Sequence, residues 1–136
     1  MSDNNTFKLL NIILIDSQFK RNSEIHFSDP DFKNNFNIEL NDSKAENKLF
    51  INLTINFSSG IGEIEEIKVL ISMLGIFEFS ENTDIPIIDF AKINGPAIIF
   101  PFIREHLSSL SLKAGINPIL LPIINFVKLD KDKAEI

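Results

Sequence analysis

The sequence predicts an α+β fold, in which a run of β-strands precedes one long helix and an extended Pro-rich loop. In residues 36–40, 50–57 and 67–79 apolar residues recur at every second position, which is the period of a strand with one buried face. From residue 94 the apolar positions change to the period of an amphipathic helix, and closely spaced prolines then follow in an apolar segment. At 136 residues the chain has the size of one domain, so we interpret residues 1–136 as a single domain.

The first predicted strand, residues 7–19, is apolar on both of its faces. Its aliphatic residues leave almost no polar position in this part of the strand: Leu9, Leu10, Ile12, Ile13, Leu14 and Ile15. A strand of this kind must be packed on both sides, and the chain has only enough later helix to cover one face of a sheet. We therefore expect a partner subunit or a bound ligand to cover the rest.

The next two strands alternate more regularly. The segments FNIEL (residues 36–40) and FINLTINF (residues 50–57) place apolar and polar side chains on opposite faces. The polar stretch between them, residues 41–48, is predicted to be a hairpin loop.

A second reversal of the chain is predicted at Gly60 and Gly62. The strand that follows, residues 64–80, is apolar on one face, and its other face is partly apolar through Leu70, Leu74 and Ile76. Two hairpins in series predict an antiparallel meander.

A helix is predicted from about residue 94 to Lys113. Asn94 is a candidate N-cap. Pro96 suits the first turn, because backbone N–H groups there have no hydrogen-bond partner within the helix and proline lacks this group. One stripe of this segment is apolar: Ile99, Ile103, Leu107 and Leu110. Pro101 removes a backbone hydrogen bond in the early turns, so we expect a bend there. Gly115 is the expected C-cap.

The segment after the helix, residues 116–126, is apolar and contains Pro118 and Pro122. Prolines at this spacing prevent a stable helix and favour an extended, rigid loop. The apolar side chains of the loop either seal the sheet or remain partly available for binding: Ile116, Ile119, Leu120, Leu121, Ile123, Ile124 and Phe126. Residues 127–136 are predicted to be a short, charged, solvated tail.

Charge and composition exclude several classes of function. The formal net charge is −6, and no cluster of Lys and Arg forms the basic stripe that nucleic-acid binding requires. No apolar run approaches the roughly 20 residues that cross a bilayer, and the N-terminus lacks a signal-peptide pattern. We therefore expect no nucleic-acid binding and no membrane insertion, and we interpret the protein as cytoplasmic. The chain has no Cys, which excludes thiol catalysis and disulfides.

No pattern in the chain indicates catalysis. His26 and His106 are the only histidines, and neither lies near a nucleophile motif, so we interpret both as structural or exposed. Glu63, Glu65 and Glu66 are interpreted as a charged strand end that discourages edge pairing. The sequence contains no metal-ligand spacing and no Gly-rich phosphate loop. We therefore predict that the protein is not an enzyme and uses no metal or cofactor.

The helix and loop resemble one known family. The stretch NGPAIIFPFIREHLSSLSLKAGINPILLPIINF is similar to the signature region of SecB, the bacterial protein-export chaperone. The residues that match a block of the family's helix are Ile98, Ile99, Phe100, Pro101, Phe102, Arg104 and Glu105. The ending from Pro122 to Phe126 matches the family's following loop, and weaker similarities extend the resemblance over nearly the whole chain up to Phe126.

The resemblance implies an α+β subunit in which a four-stranded antiparallel sheet is backed by the helix. It also implies a dimer of dimers and an ATP-independent holdase that binds unfolded or precursor polypeptides in an apolar groove along the loop. The apolar loop residues named above are then the client-binding residues, and the prolines hold the loop open. For the oligomer interface we expect residues of the first strand and the helix: Leu9, Ile13, Ile15, Ile99 and Ile103.

The resemblance further implies contact with SecA, the translocase motor, through acidic residues on the sheet surface. Asp16 and Glu63 fall on two such positions, whereas Lys20 lies where the family pattern has an acid. Only ten residues follow Phe126, where the family has a second helix and a SecA-binding tail. We therefore expect weak, salt-sensitive binding to SecA, or none.

Two alternatives remain open from the sequence. One is a dedicated interaction module, or chaperone, for a single partner such as an antitoxin, because relatives of this kind also occur in toxin–antitoxin systems. The other is a small-molecule-binding or catalytic domain with an apolar pocket, although convergent polar groups near the loop are missing from the sequence.

Overall fold

A computed structural model describes residues 7–80 and 83–134 of the chain. Four long strands come first: β1 Lys8–Arg21, β2 Phe32–Ala45, β3 Lys48–Ile61 and β4 Ile64–Glu78. Helical structure follows: a single turn α1 (Ile87–Asp89), a π-helical turn (Phe90–Asn94), the long helix α2 (Gly95–Lys113) and the short helix α3 (Phe126–Ala134). The predicted α+β fold, with a four-stranded sheet and one long helix, is confirmed. The ends of the predicted domain, residues 1–6 and 135–136, lie outside the described residues.

The sheet is antiparallel throughout, and its strand order is β1-β4-β3-β2. Strands β2, β3 and β4 form the predicted meander through two tight turns. Strand β1 lies next to β4 rather than next to β2, so the chain must cross from one edge of the sheet to the other between β1 and β2. We call residues 22–31 the crossover. This arrangement leaves β1 and β2 as the two edge strands.

The predicted hairpin between β2 and β3 is confirmed, but its loop is much shorter than the predicted residues 41–48. Strands β2 and β3 stay paired as far as Ala45 and Lys48, which leaves a two-residue turn. Glu46 in that turn has φ 57°, the left-handed conformation that such tight turns require. Residues 41–48 are all exposed, because the outer end of an edge strand faces water on both sides and needs no apolar side chain.

The core lies between one face of the sheet and α2. Odd-numbered residues of β3 and β4 point toward the helix and are buried: Leu49, Ile51, Leu53, Ile55, Phe57, Ile67, Val69, Ile71, Met73 and Phe77. On α2, Ile99, Ile103 and Leu107 have 0% of their surface exposed, and Leu110 is half-buried. The predicted alternation of these strands and the predicted helix stripe are thus confirmed.

Gly75 allows α2 to approach the sheet closely. It interrupts the run of large side chains on the buried face of β4, and the side chain of Ile99 packs at this position. A Cβ atom on Gly75 would lie 2.7 Å from Cδ1 of Ile99, which is closer than carbon atoms pack. On the helix side, Gly95 packs against Ile51 in the same way. The close approach of the helix to the sheet therefore depends on one glycine in each of the two elements.

The long helix begins differently from the prediction. Asn94 is not an N-cap, because its own backbone is helical (φ −71°, ψ −45°) and its side chain makes no capping hydrogen bond. The π-helical turn runs directly into α2, so the helical region begins near Ile87. Pro96 lies in the first turn of α2 and Pro101 lies inside the helix, as predicted.

The other face of the sheet, which we call the open face, has no helix over it in the described part of the chain. Over β3 this face is polar: the Thr54 hydroxyl donates to Ser72 Oγ (2.9 Å), which donates to Asn52 Oδ1 (2.8 Å). Over β4 it carries half-buried apolar side chains, namely Leu70, Leu74 and Ile76. The prediction that this strand is partly apolar on its second face is confirmed.

The predicted solvated tail at residues 127–136 is helical in its described part. Asn125 caps α3, since its side-chain oxygen accepts from the N–H of Lys128 (3.1 Å) and its carbonyl accepts from the N–H of Leu129 (3.0 Å). Leu129 packs against the core. This helix was not predicted because the segment is mostly charged, and its few apolar side chains form no helical period in the sequence.

Candidate functional site

The apolar loop, residues 116–125, starts from a well-defined helix end. Gly115 has φ 75°, and its N–H donates to the carbonyl of Leu112 (3.1 Å). The N–H of Ile116 donates to the carbonyl of Ser111 (3.1 Å). These bonds form a Schellman motif, which uses the last free carbonyls of α2 and requires a residue that tolerates positive φ. The predicted role of Gly115 in ending the helix is confirmed.

Ser111 attaches the loop to the helix. It is 0% exposed, and its hydroxyl donates to the carbonyl of Leu107 (2.8 Å) and accepts from the N–H of Ile119 (3.2 Å). A buried hydroxyl that lacks such partners would destabilise the fold, so this pair of bonds holds the middle of the loop in place. Sequence reasoning missed this contact, because a serine next to an apolar helix stripe does not indicate which backbone group it binds.

Two apolar side chains of the loop are almost entirely exposed. Residues 117–125 form neither helix nor strand, which confirms the extended loop predicted from Pro118 and Pro122. Leu120 and Ile123 expose 80% and 95% of their surface. Three other predicted client-binding residues are half-buried and pack against the core: Ile116, Ile119 and Ile124.

The remaining two predicted client-binding residues face inward. Leu121 and Phe126 expose only 7% and 5% of their surface, so the expectation that they belong to an exposed surface is wrong. Neighbouring side chains of an extended segment point to opposite sides, so the residue after Leu120 is directed into the core. The ring of Phe126 packs edge-on against Phe100, with centroids 6.1 Å apart. These two side chains hold the loop onto the subunit.

A second apolar surface lies between β1 and α2. The cavity there, which we call the β1–α2 groove, has a volume of about 470 Å³ and is lined by Leu9, Leu10, Asn11, Ile12, Leu14, Met73, Phe102, Glu105 and His106. Leu14 and Phe102 are 45% and 48% exposed. The hydroxyl of Ser17 lies 2.8 Å from Nε2 of His106 and links the two elements, which agrees with the structural interpretation of this histidine.

The predicted interface residues fall into two groups. Leu9, Ile13 and Ile15 are exposed along the edge strand β1, but they do not share a face: two β-bulges interrupt the pairing of this strand with β4, and Ile15 lies in the second bulge. Ile99 and Ile103 are core residues with no exposed surface, so assigning them to an interface between subunits is wrong. An apolar helix stripe cannot by itself indicate whether it packs on its own sheet or on a partner.

The two acidic residues predicted to contact SecA lie far apart. Asp16 is on the open face and accepts a hydrogen bond from Gln18 (3.1 Å), whereas Glu63 is exposed in the turn between β3 and β4. Asp16 pairs with Ser72, which is nine positions along the chain from Glu63, so roughly 30 Å of sheet separates the two acids at about 3.3 Å per residue. Lys20 pairs across the sheet with Lys68, so a basic pair occupies the surface between the two acids.

Glu66 has a role that sequence reasoning missed. The register of β4 against β3 shifts at this residue, and the resulting bulge turns its side chain toward the crossover. Only 5% of Glu66 is exposed. One carboxylate oxygen accepts from the backbone N–H of His26 (2.8 Å), and the other lies 2.6 Å from the Nδ1 atom of the same residue. Glu66 is therefore not part of an exposed acidic strand end, whereas Glu63 and Glu65 are exposed.

Contact between these two side chains changes the acidity of both. The hydrogen bond to Glu66 and the charge of this carboxylate raise the pKa of His26 above its ordinary value. Hydrogen bonds from the backbone and the ring of His26 lower the pKa of Glu66. The pair is thus an ion pair over the weakly acidic range. A clue was available in the sequence, since Glu66 directly precedes the buried positions of β4, but its partner lies 40 residues earlier in the chain.

The described residues contain neither a grouped metal site nor a helix that could span a membrane. Among residues 7–80 and 83–134, no three side chains of His, Cys, Asp or Glu are grouped so that they can hold a metal ion. Within the same ranges, none of the helices is long and apolar enough to span a membrane.

Comparison with known families identifies the chain. The family described as preprotein translocase subunit SecB matches residues 3–135, which is almost the entire sequence. The chain belongs to the SecB family. The resemblance seen in the helix and loop is therefore confirmed.

Individual SecB relatives match this chain over part of their length. A protein-export protein SecB from Anaplasma marginale (strain Florida) is 26% identical over 77 residues, which cover 56% of this chain and 44% of the relative. A protein-export protein SecB from Methylobacillus flagellatus is 33% identical over 81 residues, which cover 57% of this chain and 49% of the relative. The chain spans about half the length of the curated SecB relatives it matches.

A solved SecB-like structure has the same fold. The Mycobacterium tuberculosis SecB-like chaperone Rv1957, solved in complex with a ChAD peptide from the HigA1 antitoxin, superposes with a TM-score of 0.74. The sequences are 13% identical, and the match covers 88% of this chain and 91% of the other. At this identity the similarity establishes the fold.

Proposed function

We propose that this SecB-family chain is a cytoplasmic holdase chaperone that binds unfolded or precursor polypeptides without ATP or a cofactor, and that it is not an enzyme. One observation carries the proposal: Leu120 and Ile123 are almost fully exposed on a Pro-containing loop that its buried neighbours, Leu121 and Phe126, attach to the subunit. Half-buried Ile116, Ile119 and Ile124 extend the apolar surface around these two side chains, and an apolar surface of several neighbouring side chains is typical of binding sites.

The binding energy of such a surface comes from apolar burial. Fully burying one large aliphatic side chain contributes roughly 1.5–3 kcal/mol, so the two exposed loop residues supply roughly 3–6 kcal/mol when a client covers both. The loop is already ordered, so most of the entropy cost falls on the client, at about 0.5–1.5 kcal/mol for each immobilised side chain. Several copies of the loop in one oligomer would raise the affinity further, to about the micromolar range or better.

Apolar contacts of this kind carry little sequence specificity. They require only that a client expose apolar side chains on an accessible backbone, which unfolded chains do and folded chains do not. Half-buried Ile116, Ile119 and Ile124 flank the two exposed residues and supply the walls of the proposed apolar groove.

For the assembly we propose a dimer of dimers. Strand β1 is an edge strand, so one row of its backbone hydrogen-bonding groups is unpaired within the chain. Leu9, Ile13 and Ile15 are exposed along it, and the β1–α2 groove adds the exposed side chains of Leu14 and Phe102. Further copies of the chain that pair with β1 and cover the groove would bury this surface.

The proposal is tested by suppression of client aggregation. Several unrelated proteins, each diluted from denaturant or heated, are followed by light scattering with and without the chaperone, in the absence of nucleotide. We expect all of them to be protected at a similar ratio of chaperone to client, and addition of ATP to change nothing. Failure to protect any client, with the chaperone correctly folded by circular dichroism, would contradict the proposal.

A second candidate function is that of a chaperone dedicated to a single partner such as an antitoxin. The fold similarity to the Mycobacterium tuberculosis SecB-like chaperone, which was solved with an antitoxin peptide, favours it. The same client panel separates the two functions, because a dedicated chaperone would leave unrelated clients to aggregate.

Binding to SecA is proposed to be weak. Asp16 and Glu63 are the matched acidic positions, and the pair of Lys20 and Lys68 lies between them on the sheet. A reversed charge among exposed contacts costs on the order of 1 kcal/mol and is screened by salt. Titration calorimetry should show binding that disappears as salt is raised, and Glu63→Lys should leave aggregation suppression unchanged. Tight binding that resists salt would contradict this proposal.

A further inference from the structure

The crossover is attached to the sheet through one buried carboxylate. The N–H of Asn22 donates to the main-chain carbonyl of Glu66 (2.8 Å), and both the N–H and the ring of His26 contact its side chain. Between these two points Ile25 packs against the core. Residues 22–26 are therefore held to β4 at both ends, and three of the contacts end on a single residue.

Arg21 connects this segment to the start of the apolar loop. Its guanidinium donates to the carbonyls of Asn22 (2.9 Å) and Ser23 (2.9 Å) on one side and to the carbonyl of Ala114 (2.7 Å) on the other. Ala114 is the C-cap of α2 and directly precedes Gly115, after which the loop begins. A guanidinium fits this position because it is planar, presents several donors and places positive charge at the C-terminal end of a helix.

We propose that residues 21–26 form a strap that couples the protonation of His26 to the position of the apolar loop. The strap runs from the buried carboxylate of Glu66, through His26 and Asn22, to Arg21 and the end of α2. When His26 is charged, its ion pair with Glu66 attaches one end of the strap and the bond from Arg21 to Ala114 attaches the other, so the loop keeps its position. When His26 is neutral, the ion pair is lost, the crossover opens more often, and the carbonyls that Arg21 binds move with it.

The charges around His26 determine when this happens. Three carboxylates face it: Glu66 from β4, and Glu24 and Asp29 from the crossover, of which Glu24 lies 3.4 Å from Nε2. About half of the His26 side chain is exposed (48%), so the ring exchanges protons readily with solvent. The neighbouring carboxylates raise the pKa of His26, so the ring remains charged in weakly acidic solution and discharges only as the pH rises through this raised value.

The consequence for clients rests on the proposed holdase function. A loop that is already ordered binds a client more tightly than one that must first be ordered. Loosening of the strap is therefore expected to weaken client binding as the pH rises, although no client touches His26 or Arg21 in this scheme.

Amide hydrogen exchange on the full chain tests the strap without any client. Protection is measured by mass spectrometry from weakly acidic to weakly alkaline pH and corrected for the intrinsic exchange rate at each pH. We expect peptides that contain residues 22–26 and 114–119 to lose protection several-fold together over the titration of His26, while peptides from β3 do not change. In His26→Gln both regions should be poorly protected at every pH. His106→Gln is the matched control, because it removes the other histidine and should leave the pH dependence intact.

A second variant tests the connection itself. Arg21→Lys keeps the charge but loses the planar fork, so residues 22–26 should still respond to pH while residues 114–119 no longer follow them. A wild-type loop whose protection does not change with pH, or a pH response that survives in His26→Gln, would overturn the proposal. An unfolded apolar peptide bound with the same pH dependence would extend it to function. No peptide binding at any pH, with the coupled exchange intact, would refute the holdase proposal and leave the strap standing.

Discussion

Replacing both exposed loop residues by serine, Leu120→Ser together with Ile123→Ser, is expected to abolish client binding and leave the fold intact. Because these side chains expose 80% and 95% of their surface, the folded chain gains little from them, and the free energy of unfolding should change by no more than about 0.5 kcal/mol. A client that buries both loses roughly 3–6 kcal/mol of apolar stabilisation. This corresponds to about 10²- to 10⁴-fold weaker binding.

The assay combines aggregation suppression with thermal unfolding of the chaperone. Leu121→Ala is the matched control, because Leu121 is adjacent to Leu120, has the same side chain and is only 7% exposed. Truncating a buried leucine costs about 2–5 kcal/mol, so this variant should unfold at a clearly lower temperature. The double serine variant should instead melt like the wild type and fail to protect clients.

Two results would refute this reasoning. If the double serine variant protects clients as well as the wild type, the client site does not lie on the loop. If it melts as early as Leu121→Ala, Leu120 and Ile123 are buried in the assembled protein, and the loop is a subunit interface.

Three further predictions concern assembly, pH and packing. The double variant Leu14→Asp with Phe102→Asp should sediment as a lighter species than the wild type, because it places charge in the β1–α2 groove; unchanged sedimentation would exclude this groove from the interface. The pair of His26 and Glu66 stabilises the fold through both of its shifted pKa values. The stabilisation from the raised pKa of His26 is complete below pH 6.5 and is lost as the pH rises through the raised pKa. The stabilisation from the lowered pKa of Glu66 is complete above pH 4.5 and is lost as the pH falls through the lowered pKa. Stability from this pair should therefore be greatest between these limits, and His26→Gln should flatten the profile in chemical denaturation at a series of pH values. Gly75→Val should lower the melting temperature by pushing α2 from the sheet, and a melting temperature equal to the wild type would contradict the close contact described here.

Strand β3 could be predicted from the sequence because its environment is asymmetric. Leu53 and Ile55 face the helix and Asn52 and Thr54 face the open side, so burial imposes the alternation that the sequence displays. The outer half of β2 has no such asymmetry. Water covers both of its faces, polar residues suffice there, and no period remains from which a strand can be predicted.

The position of β1 in the sheet could not be predicted by the same means. Its apolar residues indicate that both faces need cover, but they do not indicate which strand is its neighbour. Placing β1 beside β4 is what brings His26 to Glu66, and a contact between residues 40 positions apart has no local pattern. For the crossover, the sequence therefore supported only the prediction that His26 is structural or exposed.

The loop illustrates a different limit. Its prolines and apolar residues predicted an extended binding segment, but not which side each residue faces. Which side each loop residue faces depends on where the Schellman motif ends the helix and on the hydrogen bond from the N–H of Ile119 to Ser111. Both are details of tertiary structure. Leu121 and Phe126 were therefore assigned to the same surface as Leu120 and Ile123, although they point the other way.

This division of the loop has a consequence for how its function must be tested. In the proposed binding mode, Leu121 and Phe126 contribute only by holding Leu120 and Ile123 in place, and an ordered loop would lower the entropy cost of the complex. Substituting an inward residue therefore weakens the fold and the client contact together, whereas substituting an outward one weakens only the contact. A scan that measures activity alone would assign all of these residues to the binding surface. Activity and melting temperature measured on the same variants separate the residues that contact clients from those that support them.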